Sequence, residues 1–90
     1  PPPEPQTKTF YLGNADPTQR ELIFKAILIE IRSGFPVEVT CEDQDAAVQA
    51  RVDFETFLRG KEVLHLVTNT AVVIKGGRNL AVRFRAESHR

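Results

Sequence analysis

The sequence predicts an α+β domain in which short strands and two helices follow the order strand, helix, strand, strand, helix, strand. Three observations carry that reading. Asp16-Pro17-Thr18-Gln19 opens an apolar-rich run that closes at Ser33-Gly34, which is how a helix starts and stops. Residues 35–54 alternate apolar and polar side chains in two runs around Asp43-Gln44-Asp45. Gly76-Gly77-Arg78-Asn79 separates two further β-rich runs near the C-terminus.

Each element has its own local cause. Pro1, Pro2, Pro3 and Pro5 form a stiff lead-in, so residues 1–7 are expected to be the end of a linker, 8–87 the folded domain and 88–90 a tail. Thr9-Phe10-Tyr11-Leu12 is β-branched, aromatic and aliphatic, and predicts a strand ending at Gly13. Asp16 is placed to cap free backbone N–H groups, Pro17 suits the first helical position, and Gln19 completes a capping box. Val37, Val39 and Cys41 share one face of the next strand, with Glu38, Thr40 and Glu42 on the other. Val48, Ala50, Val52 and Phe54 continue the alternation and predict an antiparallel hairpin over 35–54. Phe57, Gly60, Leu64 and Val67 then shift to a helical spacing, with a strand over 63–67 as the competing reading. Val72–Ile74, a small extra strand, and Leu80–Phe84 close the chain as a hairpin, giving a ferredoxin-like βαββαβ sandwich: a four-stranded antiparallel sheet, apart from that extra strand, with both helices on one face.

Composition narrows the function. Ninety residues suffice for one domain, and 41% hydrophobic with 27% charged residues is an ordinary globular balance. Twelve basic residues offset twelve acidic ones, so no overall charge draws the molecule to nucleic acid. The balance is uneven along the chain: residues 38–62 carry net −4 and residues 75–90 net +4. One cysteine, Cys41, excludes an internal disulfide and a cysteine-cluster metal site and favours a reducing compartment. Two histidines and no acid–base–nucleophile constellation predict a non-enzymatic protein with no cofactor, no metal and no small-molecule substrate. The apolar runs are too short to span a bilayer. An intracellular location, in nucleus or cytoplasm, is expected.

Phe10-Tyr11-Leu12-Gly13-Asn14-Ala15 resembles the first-strand signature of the RNA recognition motif. Val52-Asp53-Phe54 is similar to the end of that family's third-strand signature, and Lys75 to Phe84 to its last turn and strand. The resemblance spans Lys8 to Ala86 and implies single-stranded RNA as ligand, held on the open sheet face. It departs where the family has two outward aromatic rings, because Gln49 and Arg51 stand there. With one ring left, Tyr11, the resemblance implies weak binding, assisted by Arg51, Arg83 and Arg85 on the sheet and by Lys75 and Arg78 in the turn. Tyr11 covered by a neighbour, and the arginines paired across strands with Glu38 or Glu42, are the structural alternatives. The family's ligand-binding variant has an arginine-any-aromatic triplet before the last strand, and Ala71–Ile74 holds no arginine.

Two further readings involve protein contacts. The first helix carries Leu22, Ile23, Ala26 and Ile27 on one stripe and Phe24, Leu28 and Ile31 on another, and one helix cannot turn both toward one sheet. Phe24, Leu28 and Ile31 are therefore candidate interface residues for a protein partner or a second copy, a degenerate member of the family binding through its first helix or its sheet face. Thr9 to Asp16 also resembles the opening of ring-building domains in bacterial secretins, a likeness limited to the first strand and helix.

Overall fold

Four residues, Lys8–Tyr11, form β1 at one edge of the sheet, and the computed structural model describes residues 6–75 and 79–87 in all. The capping box forms at the head of α1 (Pro17–Arg32): the Gln19 N–H donates to Asp16 Oδ1 at 2.8 Å, and the Asp16 N–H to Gln19 Oε1 at 3.1 Å. The helix ends as a Schellman turn. Gly34, at φ +98°, donates to the Ile31 carbonyl and Phe35 to that of Glu30. Strand β2 (Val37–Cys41) then lies parallel beside β1, with Val37, Val39 and Cys41 buried as the alternation predicts.

The next element is where sequence and structure part. Residues 46–54 are not the second arm of a hairpin; they lie within α2 (Gln44–Gly60). Asp43, read as part of a polar turn, is the N-cap, accepting from the Ala46 N–H at 2.8 Å. The buried set is Ala47, Ala50, Phe54 and Leu58, at spacings of three and four, whereas Val48 and Val52 of the apparent alternation are exposed. A helical stripe and a strand alternation share Ala50 and Phe54, and the helix buries more. The helix predicted over 55–67 is thus the tail of α2, followed by a 3-10 turn at Leu64–Leu66. A second Schellman turn ends α2, with Glu62 at φ 60° where glycine is usual.

The closing hairpin forms as predicted and is longer: β3 (Val67–Lys75) pairs antiparallel with β4 (Asn79–Ala86), with a register shift between Asn69 and Ala71. Strand β4 inserts between β3 and β2, antiparallel to both, giving the order β1-β2-β4-β3. The sheet is therefore mixed, and the element order is β-α-β-α-β-β instead of β-α-β-β-α-β. The predicted class stands at the level of an α+β domain, a four-stranded sheet and two helices.

Both helices pack on one face of that sheet through a phenylalanine cluster. Phe54 sits 4.7 Å from Phe84 of β4 and 5.4 Å from Phe24 of α1, centroid to centroid, and Phe57 stacks at 6.1 Å. Ile27, Ile31, Val37, Val39, Leu58 and Val82 fill the rest of the core. Arg20 of α1 reaches Asp53 of α2 at 2.8 Å, and Gln49 donates to the other oxygen of the same carboxylate, so a half-exposed polar bridge ties the helices at the rim. No helix of the described residues is long and apolar enough to cross a membrane.

Candidate docking surface

Since the helix layer hides one face of the sheet, binding surfaces must lie on the open face, at the edges or on the outer sides of the helices. The open face carries Thr9 and Tyr11 from β1, Glu38 and Thr40 from β2, and Ala81, Arg83 and Arg85 from β4. Glu38 is buried there and accepts from Arg83 Nε at 2.8 Å. Arg83 is thus held in a cross-strand ion pair, the structural alternative foreseen for it, while Arg85 is exposed.

Tyr11 is 60% exposed, and its ring leans over Gly13 toward Glu42, whose Oε1 is 3.5 Å from the hydroxyl. Gly13 is required here. Its φ of +49° is in the left-handed region, and a Cβ on it would stand 2.5 Å from Tyr11 Cε2. Past Gly13 an open groove of about 460 Å³ runs between the end of β1 and α1, lined by Tyr11, Gly13, Asn14, Gln19, Leu22 and Ile23.

The groove leads onto the outer side of α1. Leu22 is 60% and Ile29 63% exposed, with the half-buried Ala26 between them at helical spacings of four and three. They stand opposite the core face, where Phe24, Ile27 and Ile31 are buried. An apolar stripe on the far side of a helix whose inner face is already complete adds nothing to the fold's own core.

The predicted site residues divide accordingly. Gln49 and Arg51 lie on α2, across the sheet from Tyr11, so no strand-borne platform of Tyr11, Gln49 and Arg51 exists. Gln49 is occupied with Asp53, and Arg51 is half-buried with its Nε enclosed and making no hydrogen bond. Tyr11, Arg83 and Arg85 do share a face. Lys75 ends β3, and Arg78 lies outside the described residues. Phe24 (6% exposed) and Ile31 (1%) belong to the core, which removes both as interface residues, and Leu28 is half-buried with part of its side chain packed against that core. The helix does carry a second apolar face, but it is made by Leu22 and Ile29. The stripe of Leu22, Ile23, Ala26 and Ile27 therefore divides between the two sides of the helix, because the sheet takes the face of Phe24, Ile27 and Ile31.

Cys41 is buried beneath α2, and burial pushes its thiol above the ordinary value despite the opposing pull of Arg20; Asp43 adds to the rise. Among the described residues no group of three or more His, Cys, Asp or Glu is placed to hold a metal ion. No protein-family model matches the chain, and no curated protein matches it.

Proposed function

We propose that this chain is a non-enzymatic protein-docking module that uses the outer face of α1. The supporting observation is the exposure of Leu22 and Ile29 opposite a completed core face. Covering the exposed share of two such side chains gains about 1–2 kcal/mol each if burial is complete, enough to bias association. The likeness of Thr9–Asp16 to secretin ring-building domains belongs to the same class, a chain that works by assembling with protein. The test is photo-crosslinking in the native cell from a photoreactive residue at position 29, with position 59 on α2 as control. Discrete protein adducts at 29 and not at 59 are expected; equal labelling at both, or none, overturns the reading.

A second reading rests on Tyr11. An exposed ring on the open face beside Arg85 suits base stacking and phosphate contact, so single-stranded RNA is the alternative ligand. Its test is a labelled RNA pool titrated against wild type and Tyr11→Ala at two salt concentrations. Saturable binding that falls at least tenfold in Tyr11→Ala at both salts favours RNA; the docking reading predicts no saturable binding.

A further inference from the structure

We infer that the partner of the α1 face is a second copy of this chain, packed helix to helix in parallel about a two-fold axis. The inference rests on the docking reading above and adds the partner's identity. Residues on the outer side of α1 recur at alternating spacings of three and four: Gln19, Leu22, Ala26, Ile29, Ser33. In coiled-coil terms Leu22 and Ile29 take d positions, and Gln19, Ala26 and Ser33 take a positions. Phe24 and Ile31 then fall at f, opposite the seam, which agrees with their burial in the core.

Charge decides both partner and direction. The g position next to the seam is Lys25 and the following e position is Glu30, five residues on. In parallel helix pairs a g residue meets the e′ residue five positions later on its neighbour, so Lys25 faces Glu30 of the other copy, and the two-fold axis makes the contact twice. An antiparallel pair would set g against g′ and bring Lys25 of each copy toward Arg32 of the other, which repel. Within one chain Lys25 meets Glu21 only at 4.0 Å with both side chains about half exposed, so that pair gives way cheaply. The small Ala26 and Ser33 at a positions permit close approach of the backbones. Two d residues per helix make a small interface, below the standard size of a tight complex, so association is weak.

The experiment is sedimentation equilibrium of the intact chain from about 10 μM to about 1 mM, the range in which so small an interface is expected to associate. Wild type is expected to pass reversibly from monomer to dimer. Leu22→Glu/Ile29→Glu should stay monomeric with its fold intact by circular dichroism. Lys25→Glu and Glu30→Lys should each weaken dimerisation about tenfold, and the double exchange Lys25→Glu/Glu30→Lys should restore it. A monomer throughout, a higher oligomer indifferent to the Leu22/Ile29 variant, or single exchanges that change nothing would overturn the inference. If wild type stays monomeric while position 29 still crosslinks a different protein, the second copy fails and the docking reading survives; if neither occurs, both fail.

Discussion

The two helices are nearly matched in construction and differ on the side that faces away from the sheet. Each begins at an aspartate N-cap, each ends in a Schellman turn, and each sends a phenylalanine into the same cluster. On its outer side α2 sets Val48 and Val52 among Gln49, Thr56 and Arg59, and Gln49 is engaged with Asp53. The outer side of α1 sets Leu22 and Ile29 in line, with only Ala26 between. Shared construction explains why both helices form. It leaves the outer face of α1 without a folding role, which is the ground for assigning that face to docking.

Core substitutions test the shared part and should have the largest effects. Phe54→Ala is expected to cost about 3–5 kcal/mol and Ile27→Ala about 2–5 kcal/mol in urea unfolding, since both side chains are fully buried. Comparable losses from α2 and α1 would establish one cooperative core; a much smaller loss for Ile27 would mean that α1 is only loosely docked. The C-terminal turns separate the helices next. Gly34→Ala should destabilise by about 1 kcal/mol, because alanine is strained at φ +98°. Glu62→Gly should stabilise by about 0.5–1 kcal/mol by relieving the positive φ, so the two substitutions move the urea midpoint in opposite directions. Smaller still, Ile29→Lys should leave monomer stability within about 0.5 kcal/mol of wild type, as expected of a side chain outside the core.

Proton linkage gives a last contrast, confined to high pH. The folded-state pKa of Cys41 is raised, so the folded chain holds its thiol proton longer than the unfolded chain does. The contribution is fully present below the unfolded thiol pKa and is lost as the pH rises through the raised folded value. Stability measured against pH should therefore show a decline in the alkaline range that is missing from the Cys41→Ser curve, whose offset at neutral pH reports only the packing of a buried hydroxyl.

What could be read in the sequence follows how local its cause is. The start and stop of α1 were legible because a capping box and a glycine after Ser33 act on their own neighbours, and the strands of the C-terminal hairpin because β-rich runs flank Gly76-Gly77-Arg78 in the sequence, three residues that lie outside the described ones. Helix α2 was hidden because Val48, Ala50, Val52 and Phe54 alternate while Ala47, Ala50, Phe54 and Leu58 fit a helix, and only packing against β2 and β4 chooses between them. Cap and turn residues overlap as well, so Asp43 suited either. For the docking face, the two-sidedness of α1 was legible but its phase was not: a helix apolar on both sides has no periodicity strong enough to say whether Leu22 or Phe24 points inward. The pairing of Arg83 with Glu38 depends on the register of β2 with β4, which no local signal sets.

Backbone amide chemical shifts followed by NMR as the protein is concentrated from about 20 μM to about 1 mM test the central claim most directly, since they report every described surface at once. The account predicts concentration-dependent shifts confined to α1, strongest around Leu22, Lys25, Ala26 and Ile29, with the open sheet face at Thr9, Tyr11, Thr40 and Arg85 unmoved. Shifts centred on the sheet face, or a spectrum that does not change across the range, would contradict it.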